Sequence, residues 1–220
     1  MPLGKLTDLQ QRVIVALAGL EPPWTLSGGA ALVGFHTQHR ETRDLDLFWQ
    51  GRRVLDDLID QTVRRLESQG FNVSIIQRAE AFGRLDVRDP AGSVIVDLVA
   101  DPVPLAETPQ LATVGETTVL VDTPHQILVN KLCALLSRSE LRDLVDVRAL
   151  LDAGGDLPRA LADCPDQDGG FSPLTFSWAA RGLAIGRLGR ALGWSQAPVE
   201  DLERFRDELV DRILAAAKPD

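Results

Sequence analysis

The chain runs to 220 residues with a formal net charge of -9, 45% of its residues apolar and 25% charged. That composition belongs to a globular chain with a real core, in one domain or two small packed ones, and argues against a protein coated with basic surface for nonspecific nucleic-acid binding. The N-terminus has no basic start followed by an apolar stretch, and no later apolar run is long enough to cross a bilayer, so a soluble cytoplasmic protein without a membrane partner is expected.

In chain order, "LTDLQQRVIVALAGL" has helical spacing at Leu9, Val13, Leu17 and Leu20 and is stopped by "EPP". "WTLS" reads as a short strand ending at Gly28 and Gly29, with a helix over "AALVGFHTQ" beginning at the glycines. "RDLDLFW" alternates as a strand, and "VLDDLIDQTVRRLESQG" is an amphipathic helix stopped by Gly70. "FNVSIIQ", "FGRLDVRD", "SVIVDLVA" and "ETTVLVD" are strand-like, with a "DPAG" turn among them. Helices follow: one in "TPHQILVNKLCALLSR", with Pro124 at N1, and one in "SELRDLVDVRALLDAGG", begun by Ser139. Two or three further helices are expected beyond about 156, and "DCPDQDGGFSP" is the best candidate for a mobile loop or a joint between helical parts. Cys133 and Cys164 lie far apart without metal-type spacing to the histidines, which indicates neither a disulfide framework nor a zinc site.

The chemistry concentrates in "LSGGAALVGFHTQHRETRDLDLFW". On a strand, residues two apart share a face, so Asp44 and Asp46 project together while Leu45, Leu47 and Trp49 turn to the core. Two such carboxylates repel unless a cation sits between them, and hard oxygen ligands suit Mg²⁺ or Mn²⁺. A bare D-x-D is more often a solvated strand face, so context decides. Ser27, Gly28 and Gly29 stand between strand and helix, where bare backbone N–H groups can approach phosphate oxygens. Asp97 interrupts the apolar run "SVIVDLVA", and a carboxylate there needs a partner or a metal. A metal-dependent glycosyltransferase is disfavoured because only 43 residues precede Asp44, and a calcium loop fails on the leucines of "DLDLFWQG".

Ser27-Gly28-Gly29, then Asp44-x-Asp46, then Asp97 resembles the DNA polymerase beta-type nucleotidyltransferase superfamily. "KLCALLSRSELRDLVDVRAL", with Lys131, Arg138, Arg142-Asp143 and Asp146, is similar to the lysine and aspartate motifs of the AbiEii/AbiGii-type nucleotidyltransferases, which include toxins of toxin-antitoxin systems. The resemblance covers about 24 to 152. It implies an α+β nucleotidyltransferase fold: a short mixed β-sheet flanked by helices in a core over 1–122, with a helical region over 123–220 closing the cleft.

It also implies Asp44, Asp46 and Asp97 as catalytic metal ligands for Mg²⁺ or Mn²⁺, and Ser27, Gly28 and Gly29 as the holders of the NTP's terminal phosphates. The expected reaction moves a nucleoside monophosphate to an acceptor hydroxyl, with tRNA among the acceptors the resemblance points to, pyrophosphate released and a cognate antitoxin protein as a further partner. Lys131 either snorkels off an apolar helix stripe or counters phosphate charge; the resemblance favours the latter. Asp143 and Asp146, three apart on one helix face, either position Lys131 or the nucleotide, or pair with Arg138, Arg142 or Arg148. His36, His39, Arg40 and Arg43 form a basic cluster that steers a triphosphate or RNA, or only offsets local acids. A catalytically retired nucleotide-binding or regulatory protein of the same fold is the rival reading.

Overall fold

The computed structural model describes residues 4–138 and 140–216. Contacts divide the chain into two compact units, Met1–Pro124 and His125–Asp220. The first is built on a seven-stranded sheet of order β3-β4-β5-β2-β1-β7-β6, in which β1 pairs in parallel with β7, β2 in parallel with β5, and the other neighbours are antiparallel.

Helix α1 (Asp8–Leu17) opens with a capping box: the Gln10 N–H donates to Thr7 Oγ1 and the Thr7 N–H to Gln10 Oε1. It buries Leu9, Val13, Ile14 and Leu17, but ends before Leu20 because Gly19 turns the chain at φ +74°. Strand β1 (Thr25–Ser27) leads into α2 (Gly28–Ala31), a single turn that passes into a π-type turn over Leu32–His36, so the regular helix expected there is short and widened. Strand β2 (Asp44–Gln50) alternates as the sequence predicts: Leu45, Leu47 and Trp49 are buried, while Asp44, Asp46 and Phe48 are half-buried.

Helix α3 (Leu58–Ser68) begins later than its periodicity suggests, because Asp56 adopts φ +49° just ahead of it. Strands β3 (Asn72–Arg78), β4 (Phe82–Asp89) and β5 (Gly92–Asp101) follow. Ile59 of α3 lies against Gly83, so α3 covers the sheet face opposite the one carrying Arg84 and Asp97. β6 (Gln110–Val114) precedes β7 (Thr117–Val121). β6 has no counterpart among the predicted strands: it is an edge strand whose Leu111 is exposed, so no apolar alternation marks it.

The second unit is helical. α4 (Pro124–Ser137) and α5 (Leu141–Asp152) match the two predicted helices, with the N-cap expectation at Ser139 outside the described residues. Four helices follow where two or three were expected: α6 (Leu157–Gln167), α7 (Pro173–Gly182), α8 (Ile185–Ala191) and α9 (Gln196–Ala216). The "DCPDQDGGFSP" stretch is a joint, its first half finishing α6 and Ser172 capping α7.

Candidate active site

Strand register assembles the first part of the site. Ser27 of β1 faces Asp46 of β2, Asp46 faces Asp97 of β5, and Asp97 faces Arg84 of β4, a row across four adjacent strands. Residues directly opposite one another point to the same face, so the row lies on one side of the sheet with Asp44 beside it. The glycine turn closes against this row. Gly28 sits at φ +61°, and a Cβ there would run into Oδ2 of Asp46; a Cβ on Gly29 would meet Nη2 of Arg40 at 2.8 Å. Gly28 is therefore needed for the backbone to approach the acid, while a side chain at Gly29 would push the Arg40 guanidinium aside. Thr42 Oγ1 donates to Asp44 Oδ1 at 2.9 Å, which fixes one carboxylate of the pair.

Asp97, the acid whose burial demanded a partner, has one. Arg84 Nε donates to Oδ1 at 2.8 Å and Nη2 to Oδ2 at 2.7 Å, a bidentate bond that engages both carboxylate oxygens. The Arg84 guanidinium also lies 5.5 Å over the Phe82 ring. The hydrogen bond to Asp97, with the charges of Asp97, Asp44 and Asp46, holds its pKa above the ordinary arginine value despite some burial. The alternation of "FGRLDVRD" gives Arg84 its face but not its partner; the buried acid in β5 was the only hint that a cation had to be near.

The basic cluster is rearranged. His36 turns inward and its Nε2–H donates to the Asp122 carbonyl at 2.8 Å; burial lowers its pKa, against the opposing pull of that bond, so it is no surface cation at neutral pH. Arg40 lies over the glycine turn, and Arg43 is exposed. Asp122, just past β7 and beside Ser27, was not singled out from the sequence. It is fully buried, neither carboxylate oxygen has a hydrogen-bond partner within ordinary distance, and burial pushes its pKa up to about 6, opposed by the nearby Ser27 side chain and reinforced by the charge of Asp101.

The helical unit holds a second charged network. Lys131 on α4 is buried, with Nζ 2.8 Å from Asp143 Oδ1 and 2.9 Å from Asp146 Oδ2, both acids lying fully buried on α5. Arg138 adds Nε to Asp143 Oδ2 at 2.7 Å and Nη2 to Oδ1 at 2.9 Å. Snorkelling is thereby ruled out for Lys131, since its ammonium ends in ion pairs rather than in water. Of the three arginines weighed as partners for these acids, Arg138 reaches Asp143; Arg142 has an ion pair with Glu140 and Arg148 one with Asp201.

Among the described residues no three Asp, Glu, His or Cys side chains form a ready-made metal cage. The donor chemistry does suit one hard divalent ion at Asp44 and Asp46, half-buried on one face, because such an ion takes one or two carboxylates and completes its shell with water and phosphate oxygens. Both oxygens of Asp97 are engaged by Arg84.

A mixed sheet with a glycine turn, paired acids on one central strand and a third acid in register beside them is the arrangement of a nucleotidyltransferase. The whole-chain comparisons agree on the fold: JHP933 from Helicobacter pylori superposes with a TM-score of 0.59 at 18% identity, covering 96% of this chain and 93% of that one. MenT4, a nucleotidyltransferase toxin from Mycobacterium tuberculosis H37Rv, gives the same TM-score and identity over 96% and 91%. No curated protein matches the sequence. The family model "Nucleotidyl transferase AbiEii toxin, Type IV TA system" matches residues 12–217, and the chain belongs to that family. It is a nucleotidyltransferase enzyme, and no helix among its described residues is long and apolar enough to cross a membrane.

Proposed function

We propose that the protein transfers a nucleoside monophosphate from an NTP to an acceptor hydroxyl in a reaction that depends on Mg²⁺ or Mn²⁺. The supporting observation is the in-register row of Ser27, Asp46 and Asp97, closed by a glycine turn whose Gly28 abuts Asp46. Ser27, Gly28 and Gly29 bind the terminal phosphates, the turn supplying backbone N–H groups where a side chain would block approach. Asp44 and Asp46 hold the divalent ion, which when bound polarises the triphosphate and offsets its charge. Arg40, over the turn, adds a cation on the nucleotide side. The acceptor oxygen loses its proton and bonds to the α-phosphorus as pyrophosphate leaves with the electrons of the broken bond. The family motif gives Lys131 and Asp143 catalytic roles and Asp146 a role in nucleotide binding, and this reading keeps those assignments.

Within this reading the acceptor is an RNA, a tRNA 3′ end in particular, as the resemblance in the sequence implies, and the protein is the toxin of a pair whose antitoxin is a separate protein, which the family's own description as a toxin supports. The test is incubation with each α-labelled NTP, Mg²⁺ and total cellular RNA or protein, with Asp46→Asn as the control. The expected result is label in small RNA, lost by orders of magnitude in a variant that melts as the parent does, because an amide cannot supply the carboxylate's negative charge to the ion. A parallel loss of thermal stability makes Asp46 structural instead, and triphosphate binding without label in any fraction favours the retired-enzyme reading.

A further inference from the structure

We propose that Arg84 fills the place of a second cation in this centre, so that the site loads one divalent ion per nucleotide rather than two. The inference rests on the nucleotidyltransferase reading above and concerns how many cations the three acids take. In a two-ion centre the third acid is free to ligate; here a bidentate guanidinium bond engages both oxygens of Asp97, at 2.8 and 2.7 Å. Asp97 keeps 9% of its side chain exposed beneath Arg84, whose own side chain is 42% exposed, so a hydrated ion reaches the carboxylate only where the guanidinium now sits. Arg84 is anchored from the strand beside Asp97 and in register with it, and its ring contact with Phe82 holds the guanidinium on the same face. An ion arriving at Asp97 must break two charge-assisted bonds and then sit next to the guanidinium it displaced, a like charge that the strand register keeps close. Asp46 lies one strand over from Asp97 and in register with it, with Asp44 one position further along the same face, and these two are the carboxylates that the reading above gives to a single ion. Arg84 is thus a positioning residue: it neutralises Asp97 without exchange, sets the stoichiometry of the metal site, and presents a fixed positive charge beside the reacting phosphate.

The experiment counts ions. The whole protein is saturated with an α,β-methylene NTP, which binds without transfer, and titrated with Mn²⁺ while the free-ion paramagnetic signal is followed. One Mn²⁺ per bound nucleotide is expected for the parent, two for Arg84→Met, and one again for Arg84→Met combined with Asp97→Asn. Arg84→Lys keeps a charge at the position and should stay nearer one, which guards against a folding defect in the methionine variant; thermal melts of each variant accompany the count. Two ions in the parent overturn the proposal, and so does a count of one in a folded Arg84→Met. If no nucleotide-dependent Mn²⁺ binds to the parent and Asp46→Asn changes nothing, the nucleotidyltransferase reading fails along with it, an outcome distinct from the other two.

Discussion

Asp122 places a carboxylate in full burial beside the Ser27 hydroxyl, and linkage turns its raised pKa into a stability statement. Its pKa is about 6 in the folded protein against 3.8 for an ordinary aspartate, so between those values the folded state binds the extra proton. Stability from this group is fully present below about pH 4 and is lost as pH rises through about 6; by pH 7.5 the ionised form costs up to about 3 kcal/mol. Asp122→Asn should therefore be more stable than the parent at pH 7.5 by roughly 1 to 3 kcal/mol and nearly equal to it at pH 4, as read from paired urea titrations. A difference that does not change with pH would show that Asp122 is not titrating in this window.

Lys131 poses the opposite case, because its charge is compensated. Removing it leaves Asp143 partnered by Arg138 but strips Asp146 of a buried cation, so Lys131→Met should lose about 3 to 5 kcal/mol in denaturant unfolding. A loss under about 1 kcal/mol would mean that Asp146 takes up a proton or another partner at little cost.

At the scale of elements, the turn between β1 and α2 carries more than its four-residue helix suggests. Gly28 combines a left-handed backbone with the Asp46 carboxylate against its Cα, so Gly28→Ala faces both backbone strain and a collision. The backbone alone costs about 1 to 2 kcal/mol. The expected outcome is a modest fall in melting temperature with a far larger loss of triphosphate binding, the reverse of what a purely structural glycine shows.

This turn was readable from Ser27-Gly28-Gly29 because glycine advertises backbone geometry, and β2 was readable because alternation separates Leu45, Leu47 and Trp49 from Asp44 and Asp46. The partners of those residues were not. Register across strands is a long-range property, so the pairing of Arg84 with Asp97 and the place of Asp122 next to Ser27 had no local signature. Edge strand β6 and the extra C-terminal helices escaped for a related reason: one faces solvent without alternation, and the others are short, with boundaries set by caps such as Asp156 and Ser172.

For the whole molecule, the constraint on the acceptor is charge. A net charge of -9 opposes capture of RNA over a wide surface, so an RNA acceptor has to be held by few phosphate contacts close to the centre. His36 is turned inward, which leaves Arg40, Arg43 and His39 from the predicted cluster, and Arg40 lies at the glycine turn that the proposed function gives to the triphosphate. A charge reversal at Arg40 should accordingly raise the KM for NTP, whereas Arg43→Glu should raise the KM for the acceptor and leave that for NTP nearly unchanged. Each phosphate neutralised on a single strand contributes a slope of about -0.7 to the dependence of log affinity on log salt, so two or three contacts give about -1.4 to -2. Between 50 and 200 mM salt the acceptor KM should then rise by roughly an order of magnitude, against the roughly thousandfold or greater change of a protein making many phosphate contacts. A thousandfold rise would show that a basic surface outside this cluster holds the RNA, and a KM indifferent to both salt and Arg43→Glu would point to an acceptor hydroxyl on a protein or an uncharged small molecule.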